Sequence, residues 1–132
     1  MSRKAFTSPH VSSSGPYSHA IDGGDYYFFS GQTAKNAVAV TEDDRAIAAQ
    51  TEKCFENLQF VMDEVGVTMD DVVKVNVYLT GMKHFAEMNA VYEKKFSKPF
   101  PARTCVAVLE LPLAADVEIE VIVKKTKFLY VR

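Results

Sequence analysis

Arg103 and Glu118 are the residues whose types and positions most invite chemistry. Each stands inside a segment that otherwise reads as β-strand, and both are expected to project from the less apolar face of the sheet. An arginine offers a planar fork that grips a carboxylate with two parallel hydrogen bonds. A carboxylate near it can orient or deprotonate a water. Together they form a site for a small acid whose carbon is to be attacked by water. From spacing alone a structural salt bridge between neighbouring strands is the simpler explanation, since ion-pair networks give the same pattern. Glu120 lies two residues after Glu118, points to the same side, and can equally be the base.

Other residues could line such a site. Cys105 shares a face with Arg103, and a neighbouring cation can lower a thiol pKa. None of the histidines, His10, His19 or His84, has a nucleophile-base context, so a small apolar, pocket-lining role for Cys105 is the better reading. Gly15-Pro16-Tyr17-Ser18 is a rigid turn, with Tyr17 either packing or acting as a lid with a polar tip. At Ser30-Gly31-Gln32 the glycine permits close approach of the backbone, to a ligand or to another strand. Asn89 lies at helical spacing between Phe85 and Tyr92, as a local polar clasp or as part of the site. The sequence shows no His/Cys cluster at metal-ligand spacing and no Gly-rich phosphate loop.

The elements that must position these residues can be read from periodicity. Residues 26–30 form an aromatic strand after Gly23-Gly24-Asp25, and residues 37–40 a short strand candidate. Thr41 is a helix cap with acids behind it. Ile47, Thr51, Cys54, Phe55, Leu58, Val61, Met62 and Val65 then recur at helical spacing up to Gly66. This places Cys54 in the core. Val73, Val75, Val77 and Leu79 alternate with Lys74, Asn76 and Tyr78 as a strand. Phe85, Met88, Tyr92, Lys95 and Phe96 fit a second helix without a recognisable starting cap, ended by Pro99 and Pro101. Arg103 and Glu118 each lie on a further alternating strand, joined through Leu111-Pro112.

The predicted order is β-β-β-α-β-α-β-β, an α+β domain in which two helices cover one face of the sheet. The other face is expected to carry Asn76, Tyr78, Cys105, Ala107, Leu109 and Ile122 beside the charges. That is too apolar for water, so a closed homo-oligomer is expected to bury it.

With 132 residues, 48% of them hydrophobic, the chain reads as one domain with a core of its own, ending in a basic tail over 125–132. A net charge of -2 argues against a dedicated nucleic-acid binder. Two cysteines suggest no disulfide framework and fit a reduced, cytoplasmic setting. No stretch has the apolar run of a membrane span. Residues 1–21 only faintly echo a transit peptide.

The motifs, taken in order, resemble the Rid (reactive intermediate deaminase) family, once described as L-PSP endoribonucleases. They are Gly15-Pro16-Tyr17-Ser18, Ser30-Gly31-Gln32, Gln50-Thr51 with Asn57-Leu58, Asp71-Val72-Val73-Lys74, Asn89-Ala90-Val91-Tyr92, Pro101-Ala102-Arg103-Thr104, Leu111-Pro112 and Val117-Glu118-Ile119-Glu120. The resemblance implies a chorismate-mutase-like α+β fold and a homotrimer with its sheets facing inward and its sites between subunits. It implies a cofactor-independent 2-iminobutanoate/2-iminopropanoate deaminase, a hydrolase that converts enamines and imines such as 2-aminoacrylate to 2-keto acids and ammonia. By position it assigns Tyr17, Ser30, Gly31, Asn89, Arg103, Cys105 and Glu118 to the site. Arg103 would hold the substrate carboxylate, and Glu118 rather than Glu120 would orient water. The alternatives are an endoribonuclease or translation inhibitor, and a non-catalytic, chaperone-like module that binds small ligands. His19 stands where the family usually has glutamine, and Thr33-Ala34 where it has an aliphatic residue and proline. Both changes fall at the expected pocket edge.

Overall fold

Alternation of apolar residues dictates the centre of the molecule. In β7 (Val117–Lys124), Val117, Ile119, Val121 and Val123 are buried, while Glu118, Glu120 and Ile122 between them stay partly open. β5 (Val72–Leu79) runs antiparallel beside it and buries Val75, Val77 and Leu79 on the same face. A computed structural model describes residues 2–36 and 46–126 and builds a seven-stranded mixed sheet around this pair. Its path runs β1 (Ala5–Phe6), β2 (Ala20–Asp22), β3 (Tyr26–Phe29), β7, β5, β6 (Ala102–Ala107), and β4 (Gln32–Thr33) also pairs with β7. Every pairing is antiparallel except β5 with β6, which is parallel and leaves β6 at the edge.

Two helices, α1 (Ile47–Val65) and α2 (Phe85–Tyr92), cover one face. The expected α1 stripe is buried from Ile47 to Met62. Gly66 ends the helix in the left-handed region, φ 91°, and donates to the Met62 carbonyl at 2.8 Å. The start differs from expectation. Ala46 precedes the first turn in extended backbone with no side-chain cap, while Thr41 and the strand expected at 37–40 lie outside the described residues. The free N–H of Ala48 donates instead to Glu87 Oε2 of α2, at 3.1 Å, so the second helix supplies the acid for the first.

α2 is shorter than its apolar spacing suggests. It stops at Tyr92, where Lys94 and Lys95 donate to the carbonyls of Val91 and Tyr92 in tight turns. It lacks a side-chain cap because a 3-10 turn, Met82–His84, runs straight into it. Phe96 still packs on the core, its ring 5.7 Å from Phe55 and 5.0 Å from Tyr92.

Two expectations about side-chain direction are corrected. A bulge in β5 sets both Val72 and Val73 against the single step from Val123 to Ile122, so Val72 is buried and Val73 is exposed. In β6 the register pairs Arg103 with Val75, Cys105 with Val77 and Ala107 with Leu79. These three therefore face the helices, not the open side. The open face carries Asn76, Tyr78, Thr104, Val106, Glu118, Glu120, Ile122 and Phe28, with Val106 and Phe28 both large and exposed. It remains an apolar face in search of cover. Among the described residues four short strands precede α1, two of them two-residue pairings that leave little trace in the sequence.

Candidate active site

Arg103 enters the space between β6 and α2. Its guanidinium carbon lies 4.7 Å from the Tyr92 ring centre and 5.5 Å from that of Phe85, so two aromatic faces hold the cation. Nη1 donates to Asn89 Oδ1 at 2.6 Å. Phe85, Asn89 and Tyr92 are spaced four and three residues apart and so share one face of α2. Asn89 is thus the clasp that the sequence left open. Arg103 has no carboxylate partner among the described residues. That disposes of the structural salt bridge with Glu118, which projects from the opposite face of the sheet. A cleft of about 640 Å³ opens over Arg103, with Asn89, Tyr92, Phe100 and Pro101 on its walls.

Cys105 follows Arg103 on the same side of β6 and is half-buried. Burial raises its thiol pKa, and the opposing pull of Arg103 does not reverse this. A protonated thiol is a small pocket-lining group rather than a nucleophile. Cys54 is fully buried, as its place on the α1 stripe required.

Tyr17, Ser30, Gly31 and Glu118 gather separately, around a hollow of about 240 Å³ whose walls also include Ser14, Thr33, Asn36, Pro112 and Glu120. Here Gly31 passes so close to Glu118 that a side-chain Cβ would stand 2.5 Å from Oε2. The close approach anticipated for this glycine is made by a neighbouring strand's side chain. Ser30 Oγ donates to the Ser18 carbonyl at 2.6 Å, which fixes the turn carrying Tyr17 against β3. The Tyr17 hydroxyl accepts from the Ser14 N–H at 3.2 Å and from Asn36 Nδ2 at 3.4 Å.

The two acids have different surroundings. Glu120 Oε1 accepts from the Tyr78 hydroxyl at 2.7 Å and from Asn76 Nδ2 at 3.1 Å. That hydrogen bond to Glu120, helped by burial and by the carboxylate's charge, pushes the Tyr78 pKa up to about 12. Glu118 accepts no hydrogen bond from the described residues, and burial, with Glu120 nearby, raises its pKa. Of the two, only Glu118 is left with its lone pairs open among the described residues.

Clasps from α1 hold this half together. Asn57 Nδ2 donates to the Thr33 carbonyl at 3.0 Å, and Gln50 exchanges two hydrogen bonds with Asp116, just before β7. Asn36 accepts from both the N–H and the hydroxyl of Thr33 at 2.9 Å. Nothing in the sequence marked Asn36, while Thr33 was marked only as a departure from the family pattern at the pocket edge. Phe85 and Tyr92 could have been found, as aromatics flanking Asn89 on the helix face nearest an unpaired arginine.

A family model described as endoribonuclease L-PSP matches residues 7–125. The chain belongs to this family, the Rid family. Protein HMF1 of Saccharomyces cerevisiae is 42% identical over 110 residues, covering 80% of this chain and 81% of the yeast protein. A Dermatophagoides farinae protein named 2-iminobutanoate/2-iminopropanoate deaminase is 39% identical over 109 residues, covering 83% of this chain and 85% of that protein. The crystal structure of RidA from an Antarctic Psychrobacter superposes with a TM-score of 0.86 at 34% identity, covering 93% of this chain and 100% of that one. The mixed sheet under two helices is the Rid fold expected from the motifs. Among the described residues of this Rid protein no helix is long and apolar enough to cross a membrane. Nor do three of their His, Cys, Asp or Glu side chains converge as a metal site.

Proposed function

We propose that this Rid protein hydrolyses 2-imino acids, 2-iminopropanoate and 2-iminobutanoate among them, to 2-keto acids and ammonia. The observation that carries the reading is Arg103, a cation held by two rings and Asn89 in an open cleft and ion-paired with no carboxylate among the described residues. Its remaining N–H groups suit a substrate carboxylate. That anchoring fixes the imine carbon for attack and accounts for part of the rate by proximity.

Arg103 and Glu118 lie on opposite faces, so one chain cannot bring both to one substrate. β6 is an edge strand and the open face of the sheet is exposed, so the edge of one copy can rest on the face of the next. Repetition of such a head-to-tail contact closes a ring. A homotrimer with Arg103, Asn89 and Cys105 from one copy and Tyr17, Ser30, Gly31 and Glu118 from its neighbour completes the site. Glu118 then takes a proton from water as the oxygen bonds to the imine carbon and the C=N pair moves to nitrogen. Glu118 returns that proton to the nitrogen, the adduct's hydroxyl proton passes to the nitrogen as the C–N bond breaks, and the ketone and ammonia remain. Uncatalysed imine hydrolysis is already fast, so a modest acceleration suffices.

An endoribonuclease is less well supported, because the Tyr17 hollow presents two acids to any phosphate. The cytoplasm is part of the same reading, supported by two free thiols.

The test couples an amino-acid oxidase or dehydratase that generates imine to a semicarbazide trap. Wild type should lower the trapped imine and Arg103→Ala should not. No effect of wild type on any imine would remove the enzyme claim and bring the ligand-binding module forward.

A further inference from the structure

Thr33 and Asn36 form a small polar lock that the proposed chemistry leaves unused. Both are buried within the chain itself, at 1% and 3% exposure, so the lock does not depend on what covers the sheet. Thr33 presents its backbone N–H and its hydroxyl to Asn36 Oδ1, each at 2.9 Å. A backbone N–H only donates, so the amide atom that it meets is the oxygen. The amide nitrogen therefore faces the other way, towards the Ser12 carbonyl at 3.5 Å and the Tyr17 hydroxyl at 3.4 Å. The Asn36 carbonyl in turn accepts from the Ser12 N–H at 2.7 Å and the Ser12 hydroxyl at 2.9 Å, which ties down the loop leading to Tyr17. An aliphatic residue at position 33, as in the family pattern, supplies the N–H without the hydroxyl. Thr33 doubles the hold on one amide orientation.

The consequence falls on Tyr17. Its hydroxyl oxygen accepts from the Ser14 N–H at 3.2 Å and from Asn36 Nδ2. With two N–H groups donating to that oxygen, what the hydroxyl has left to offer is its proton. Ser14 Oγ, 3.4 Å away, is a distant acceptor for an O–H group. Resting on the deaminase reading, we infer that Thr33 and Asn36 are positioning residues, which hold the Tyr17 hydroxyl as a hydrogen-bond donor to substrate in the hollow shared with Glu118. The substrate nitrogen gains an electron pair as the C=N bond opens. A donor aimed at it strengthens in the transition state, and so acts on kcat more than on KM.

Thr33→Val keeps the shape and the N–H and removes the hydroxyl. The full chain is assayed with 2-iminopropanoate generated at graded rates by an oxidase. Thr33→Val should lower kcat about five-fold with KM little changed, and Thr33→Ser should recover most of the loss. Tyr17→Phe should lower kcat at least as far, and adding Thr33→Val to it should cost nothing more. A merely structural Thr33 costs the same in either background, so losses that add overturn the inference while the deaminase stands. Tyrosine labelled with carbon-13 at Cζ gives a second reading that needs no turnover. The signal missing from Tyr17→Phe belongs to Tyr17; Thr33→Val should shift it and Thr33→Ser should leave it near its wild-type position. An unmoved signal in Thr33→Val overturns the lock. A signal that moves as expected in a protein that consumes no imine removes the deaminase reading and leaves the lock standing.

Discussion

Gly31 runs beneath the carboxyl of Glu118, so close that a Cβ would stand 2.5 Å from Oε2. The glycine is therefore what allows that carboxyl its position. Gly31→Ala should push the group aside by about an ångström without touching the core. Displacements of that size can cost roughly 100-fold in rate. Steady-state kinetics should show the loss in kcat with an unchanged circular dichroism spectrum. Retained activity would separate Glu118 from the chemistry.

Glu118 should also trade stability for function. Burial raises its pKa above the ordinary 4.5, so the folded protein binds the proton more tightly than the unfolded chain does. Stability from this group is fully present below 4.5 and is lost as pH rises through the folded value. At neutral pH the charged group is a burden. Glu118→Gln should raise Tm at neutral pH and flatten its acid dependence, while turnover falls roughly 100-fold or more. Glu120→Gln should instead lower stability by about 1 kcal/mol, because Tyr78 and Asn76 lose a charged acceptor.

Arg103→Lys keeps the charge and loses the planar fork that lies against Tyr92 and Phe85. About 2 kcal/mol of transition-state binding should go with it, roughly 30-fold in kcat/KM. An equal kcat/KM would mean that a point charge is all the site needs.

Mixing variants tests whether the site is shared. Arg103→Ala and Glu118→Gln should each be inactive alone. Refolded together in equal amounts, three-quarters of randomly assembled rings contain both chains, and each such ring has one intact site in three. Activity should return to about a quarter of wild type. No recovery would place both residues of a working site on one chain or outside the reaction.

His19 makes the N-terminal segment acid-sensitive. Its Nδ1 accepts the Ser8 N–H at 3.1 Å, which leaves Nε2 to donate to Ser13 Oγ at 3.0 Å. Burial lowers its pKa from the ordinary 6.5, so on acidification the unfolded chain takes up the proton first. The stability from neutral His19 is complete above about 6.5 and is lost as pH falls through the lower folded value. Thermal melts from neutral to mildly acidic pH should show this loss in wild type and less of it in His19→Gln.

Most of this frame was legible in the sequence. The α1 stripe, the stop at Gly66 and the alternation in β5 and β7 each follow from a single strong period. Arg103 was misplaced because β6 is an edge strand. Thr104 and Val106 look as apolar as Cys105 and Ala107, and alternation gives parity without saying which parity is inside. Register against β5 decides it, and register is a tertiary fact. At Val73 one bulge reversed the pattern. Spacing alone left Glu118 and Glu120 equivalent, and only the family resemblance favoured Glu118; the structure adds that Tyr78 and Asn76 occupy Glu120.

The placement of Arg103 and Glu118 on opposite faces of one sheet has a consequence for dosage. Under the proposed function, catalysis by this chain is a collective property. Diluted below the point at which copies find one another, the protein should then lose activity faster than it loses molecules. A cell carrying it would set the rate of imine clearance twice over, once by how many chains it makes and again by how crowded they are.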